Sequence, residues 1–199
     1  MKIYGDTQSG NCYKLKLLCS LLSIHHQWVA VDILKGETQT AEFLQLNPDG
    51  KIPLLVMDDG ECLAESNAIL FYLARKSYLL PENHLQQARV LQWQFFEQYS
   101  HEPYIAVARF IARYLGLPED RRGEYMSKRA GGYRALDVME QKLQSAQFLV
   151  GNQCTIADIS LYAYTHVADE GGFDLSRYPA ISDWLGRIQS LGGYIGMDD

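Results

Sequence analysis

Asn47-Pro48-Asp49-Gly50-Lys51-Ile52-Pro53-Leu54-Leu55-Val56-Met57-Asp58-Asp59-Gly60-Glu61-Cys62-Leu63-Ala64-Glu65-Ser66 is the stretch on which the fold turns. Two prolines and a glycine make a tight turn over 47–53. Pro53–Met57 and Cys62–Glu65 read as strands separated by Asp58-Asp59-Gly60-Glu61, a hairpin signal. Ser66 then opens a helix over 66–76. Upstream, Lys2–Gly5 is a short apolar run. Residues 10–23 carry Tyr13, Leu17, Leu18, Leu21 and Leu22 on one helical stripe, with Lys14, Lys16 and Ser20 elsewhere. Trp28–Ile33 alternates as a strand, and Thr40–Leu46 suits a short helix. The order β-α-β-α-β-β-α implies a mixed sheet covered by helices.

Downstream the strand signals stop. Residues 79–86 read as a linker. Residues 87–115 form a long helical pattern ended by Gly116-Leu117-Pro118, and 119–146 form another. Gly131-Gly132 inside the second costs about 1 kcal/mol per glycine relative to alanine, so a kink or a close helix contact is expected there. Two more helices are expected at about 156–168 and 179–191. The sequence thus predicts an α/β domain over 1–78 and an all-helical bundle over 87–199. Each half is near the lower size limit for independent stability, which predicts an extensive apolar interface between them.

Composition narrows the function. The 199 residues hold 18 Lys plus Arg against 24 Asp plus Glu, a net charge of -6. That balance argues against nucleic acid and against an anionic membrane surface as partners. It leaves a small anionic ligand open, since such a ligand reads a local site. The longest runs without a charged residue, 17–31 and 143–157, are too short and too polar to span a bilayer. The chain starts in a strand-like segment with no apolar signal core. The cysteines at 12, 19, 62 and 154 form no C-x-x-C pair, so no metal site is expected and reduced thiols in the cytoplasm are the simplest reading.

Four short motifs bear on chemistry. Ser9-Gly10-Asn11-Cys12 lies between the first strand and the first helix. A helix start offers free N–H groups and a positive dipole end, which stabilise a thiolate; Ser9 as a plain N-cap fits the same residues. Cys12 reads as a packed thiol. Ile52-Pro53 is either a structural strand start or a cis bond leaving the Ile52 N–H and C=O turned outward for an extended peptide. At Glu65-Ser66-Asn67 the Ser66 helix start could hold a carboxylate and Glu65 an ammonium, or Ser66 is only an N-cap and Glu65 is solvated. Thr155-Ile156-Ala157-Asp158 is a capping box with Cys154 and Ile159 as its hydrophobic staple, and serves folding.

These four features, in this order and over essentially the whole chain, resemble the glutathione S-transferase superfamily in its soluble, serine-type, bacterial-like form. The resemblance implies a thioredoxin-like glutathione-binding domain followed by an all-helical domain that forms the electrophile pocket. Ile52 before the cis-proline Pro53 would pair with the cysteinyl part of glutathione, and Glu65 and Ser66 would hold its γ-glutamyl end. Gln39 and Lys51 lie where the family contacts the glycyl carboxylate. Ser9 takes the position of the catalytic serine, with Asn11 as a second donor; Tyr4 falls near the catalytic hydroxyl of the tyrosine-type classes, or packs within its strand. The S-x-x-C pattern puts a hydroxyl where thioredoxin-like proteins keep a nucleophilic cysteine. Tyr99, His101, Tyr104 and Arg109 lie on the stretch expected to line the pocket, although His101 between Ser100 and Glu102 also reads as a surface histidine.

The activity so implied is attack by the thiolate of bound glutathione, a co-substrate, on a hydrophobic electrophile, with no metal and in a homodimer. A glutathione-dependent disulfide or peroxide reductase on the same scaffold is the alternative within enzymes. A noncatalytic interaction module is the alternative outside them, because fold does not fix function. The retained Ser9, Ile52-Pro53 and Glu65-Ser66 argue for the enzyme.

Overall fold

The computed structural model describes all 199 residues and divides the chain into two compact units, Met1–Ser77 with Leu191–Asp199, and Tyr78–Ser190. The first is a thioredoxin-like α/β fold. Strand β1 (Lys2–Gly5) leads into α1 (Gly10–Leu21), β2 (Gln27–Ala30), α2 (Ala41–Leu46), β3 (Leu54–Val56), β4 (Cys62–Leu63) and α3 (Ser66–Leu73). The sheet order is β2-β1-β3-β4. β1 runs parallel to β2 and antiparallel to β3, and β3–β4 is the hairpin expected at Gly60.

Alternation along β1 sends Ile3 and Gly5 to one face and Tyr4 to the other. A Cβ at Gly5 would meet the Trp28 ring at 2.8 Å and the Cys12 Cβ at 3.1 Å, so only glycine lets α1 lie this close. Tyr4 packs edge-on against Phe43 at 6.2 Å, in a cluster with Val31 and Leu54. Leu15, Leu18, Ile69 and Leu70 are fully buried where α1 meets α3. Lys14, assigned by helical period to the polar side, is also fully buried.

The last nine residues depart from the helical domain predicted over 87–199 and return to the first unit. Tyr13 Oη donates to the Ile195 carbonyl at 2.7 Å, Ser20 Oγ to Gly193 at 2.6 Å and Lys16 Nζ to Met197 at 3.2 Å. Buried Met197 completes that contact. Three polar side chains of α1 thus find carbonyl partners that helix periodicity could not name.

The second unit is all-helical. Helix α4 (His84–Phe96) starts at an Asn83 cap and runs through a π turn (Glu97–His101) into α5 (Glu102–Arg109) and a second π turn (Phe110–Tyr114). There follow α6 (Arg122–Leu143), α7 (Ile156–Thr165) and α8 (Pro179–Gln189). Helix α6 is continuous through Gly131-Gly132. The Tyr104 ring occupies the space a Cβ on Gly131 would need, and Phe173 does the same at Gly132. The glycines therefore serve close contact, Gly131 with α5 and Gly132 with the segment that carries Phe173. Glu140 accepts from the Ala180 and Ile181 N–H groups at 3.0 and 2.9 Å, capping α8 from a neighbouring helix. No helix is long and apolar enough to cross a membrane.

Candidate functional site

Ser9 is the N-cap of α1, with φ -77 and ψ 122. Its Oγ accepts from the Cys12 N–H at 3.4 Å, which leaves the hydroxyl proton to be donated elsewhere. Cys12 is sealed beneath it, and burial pushes its thiol up to about 12. At neutral pH this sulfur is a neutral packing group and no nucleophile. Native protein at pH 8 is therefore expected to leave Cys12 unmodified by iodoacetamide while half-buried Cys62 reacts. Peptide mapping by mass spectrometry reads this, and rapid labelling of Cys12 would contradict it.

The second helix start lies beside the first. Ser66 opens α3 and is almost wholly buried. Its Oγ donates to Asn11 Oδ1 at 3.3 Å and accepts from Lys14 Nζ at 3.2 Å. One hydrogen-bonded chain thus joins the Ser9-to-Asn11 segment to the Ser66 helix start. Glu65 precedes it, exposed, with φ 65 and ψ 112. A non-glycine residue held in that region costs about 1–3 kcal/mol and persists where its surroundings demand it.

The turn over 47–53 is built by Asn47, which donates through Nδ2 to the Lys51 carbonyl at 2.7 Å and accepts from the Asp49 N–H at 3.2 Å. The Ile52–Pro53 bond is cis. Neither the N–H nor the C=O of Ile52 is engaged by the chain's own backbone. Gln39 donates to the Gly50 carbonyl at 3.1 Å, so it leans on the turn that carries Lys51. Lys51 is solvent-exposed and pairs with Asp49 at 2.9 Å, a contact of little energetic weight.

Of the four residues expected along the pocket, His101 and Arg109 are buried, Tyr104 is half-buried and Tyr99 is exposed. Tyr99 is 87% exposed. The Tyr104 ring lies against Gly131 and is partly exposed. His101, read also as a surface residue, is fully buried: its Nε2 meets Thr165 Oγ1 at 2.9 Å, and Thr165 itself donates to the Leu161 carbonyl, so His101 is the donor. Arg109 is buried and bonds Glu170 through Nε at 2.6 Å. The last two are internal braces, because a buried polar group must be paired.

Thr155 and Asp158 stand in the capping box expected of them. Asp158 is fully buried and accepts from Thr155 N–H and Oγ, Leu149 N–H and Trp184 Nε1 at 2.8–3.0 Å. Burial pushes its carboxyl above the usual range while these four donors pull it down. Sequence reasoning missed the burial of Lys14 and its hydrogen bond to Ser66. The available signal was its i,i+3 spacing from Asn11, which puts both on one helix face.

Comparison with known proteins agrees with this fold. Residues 1–75 match the glutathione S-transferase N-terminal domain and 93–191 the C-terminal domain. A glutathione S-transferase structure from Pseudomonas fluorescens Pf-5 is 61% identical, with TM-score 0.98 over 100% of this chain and 98% of its own. The chain belongs to the glutathione S-transferase family, and its activity class is that of a transferase. It is also similar to a maleylacetoacetate isomerase from Methylobacterium extorquens AM1 solved with malonate and glutathione bound, at 26% identity and TM-score 0.81 over 97% of this chain and 94% of that one. The disulfide-bond oxidoreductase YfcG of Escherichia coli K12 is 29% identical over 90% of this chain and 86% of its own length.

Proposed function

We propose that the first unit binds glutathione, that Ser9 with Asn11 stabilises its thiolate, and that the thiolate attacks a hydrophobic electrophile. The observation that carries this reading is the Asn11–Ser66 hydrogen bond, which sets the Ser9 helix start beside the Glu65-Ser66 helix start. One peptide of glutathione's size can then meet a thiolate donor and a carboxylate site together. The unengaged Ile52 N–H and C=O suit the cysteinyl backbone. Glu65 answers the ammonium, the Ser66 helix start one carboxylate, and Gln39 and Lys51 the other. No metal is needed, because the chemistry rests on a lowered thiol pKa and on positioning. Titration calorimetry with glutathione is expected to give saturable binding; no heat at millimolar ligand would favour a noncatalytic module.

A second reading has a specific observation behind it, the similarity to a disulfide-bond oxidoreductase. Here bound glutathione would exchange with a disulfide or reduce a peroxide. Turnover of hydroxyethyl disulfide or cumene hydroperoxide exceeding that of an aryl halide would select it.

The homodimer and the cytoplasmic setting belong to the same proposal. Leu91 and Phe95 lie one turn apart on α4, with Tyr99 beyond them, and all three are exposed. Such a stripe fits the isologous face of a symmetric dimer. Phe95→Glu is expected to halve the mass seen by light scattering. A wild type that is already monomeric would rule the dimer out. All four cysteines are free, which suits a reducing compartment.

A further inference from the structure

The Asn47 amide is fixed at both ends by backbone groups whose roles cannot be exchanged. A carbonyl only accepts and a backbone N–H only donates. Nδ2 therefore faces the Lys51 carbonyl, at 2.7 Å, and Oδ1 faces the Asp49 N–H, at 3.2 Å. Asn47 is buried, whereas Asp49 and Lys51 are exposed. Its own backbone ties it to both sides of the turn: its N–H bonds the Phe43 carbonyl at 2.9 Å, and its carbonyl accepts from the Gly50 N–H at 2.9 Å. Phe43 packs with Val31 and Leu54 in the core of the first unit. The amide is thus referenced to that core and not to the exposed tip of the turn. The two backbone bonds survive any change of side chain, so substitution at 47 tests the amide itself.

The Lys51 carbonyl shares a peptide plane with the Ile52 N–H. That peptide is trans, and in a trans peptide the C=O and the N–H point in opposite directions. Drawing the carbonyl onto Asn47 turns the Ile52 N–H away from it, and no backbone carbonyl takes that N–H. We infer that Asn47 is a positioning residue: its bond to the Lys51 carbonyl sets the orientation of the Lys51–Ile52 peptide, so that the Ile52 N–H is aimed at the cysteinyl carbonyl of glutathione. Asn47 acts through the backbone, without touching the ligand. It removes the freedom of this peptide to rotate before the ligand arrives, a freedom whose loss would otherwise count against binding.

The inference rests on the proposed glutathione site, and its test separates the two. The probes are glutathione and γ-glutamylcysteamine, which keeps the γ-glutamyl amide and the thiol but lacks the cysteinyl carbonyl. Dissociation constants of both are measured for wild type, Asn47→Asp and Asn47→Ala, with circular dichroism to check folding. Asn47→Asp keeps an acceptor for the Asp49 N–H but sets a carboxylate oxygen against the Lys51 carbonyl, which turns the peptide. It is expected to weaken glutathione about tenfold. γ-Glutamylcysteamine stays within about twofold of wild type, because that probe never used the Ile52 N–H. Asn47→Ala removes both amide bonds without adding charge, gives the same pattern, and serves if Asn47→Asp does not fold. A folded variant that binds glutathione as wild type does overturns the inference. So does equal weakening of both probes, which marks a general disturbance of the domain, and so does failure of both variants to fold, which makes Asn47 a requirement of the fold. If wild type binds no glutathione, the site reading falls and Asn47 with it. If wild type prefers glutathione and the folded variants keep that preference, the inference alone falls.

Discussion

Replacing Ser9 by alanine is expected to lower conjugation at neutral pH by more than tenfold while glutathione still binds. A free thiol has a pKa of about 8.5 and is a few per cent ionised at neutral pH. Lowering it by two units raises the thiolate fraction more than tenfold and requires about 2.7 kcal/mol. A charge-assisted hydrogen bond contributes about 1.5–3 kcal/mol and a helix start about 0.3–1 kcal/mol. The Ser9 hydroxyl is placed to supply the first, because it caps α1 as an acceptor and keeps its proton. The pH–rate profile of Ser9→Ala is accordingly expected to move to higher pH and to approach wild type above the pKa of free thiol. Calorimetry should retain the heat of glutathione binding, since Ile52, Glu65 and Ser66 are untouched. Loss of the cap costs a further 0.5–2 kcal/mol or so of stability, readable as a drop of a few degrees in Tm. Tyr4→Phe is expected to change little, because its ring lies against Phe43. Wild-type turnover of an aryl halide by Ser9→Ala would remove Ser9 from the mechanism.

Asp158→Ala should be the most damaging substitution for stability. The carboxylate gathers four donors from three places in the chain: the Thr155 cap, the Leu149 N–H and the Trp184 indole. Removing it leaves these donors buried without acceptors, at about 1–3 kcal/mol each before relaxation. A loss of about 3–5 kcal/mol, or roughly 6–20 °C in Tm, is expected for a chain of this size. Trp184 is fully buried, so its fluorescence reports the change directly. Asp158→Asn restores only part of the loss, because an amide has one acceptor oxygen. A loss below about 1 kcal/mol would mean that the four bonds are replaced by others.

The fold was legible wherever it depends on near neighbours. Ser9 and Thr155 each cap the helix their position announces, whereas Asn83, placed in the linker, caps a helix that starts at His84 and not at 87. Gly60 turns the β3–β4 hairpin with φ 91. A mixed sheet follows from β-α-β and one hairpin, while pairing of the hairpin with β1 to give the order β2-β1-β3-β4 is a tertiary outcome. The site was legible in part: the turn at 47–53, the two helix starts and their order along the chain are local patterns.

Tertiary packing decided the rest. Lys14 and Lys16 lie two residues apart in one helix, yet one is sealed against Ser66 and the other reaches the Met197 carbonyl. His101 and Arg109 read as pocket candidates, but Thr165 and Glu170, 64 and 61 residues on, make them internal braces. Glu140 looks solvated until α8, 40 residues away, turns its bare N-terminus toward it. Periodicity states which face of a helix a side chain occupies. Whether that face meets water, an apolar wall or an unpaired carbonyl depends on an element distant in sequence, and that decides whether a charge is idle, structural or able to direct chemistry.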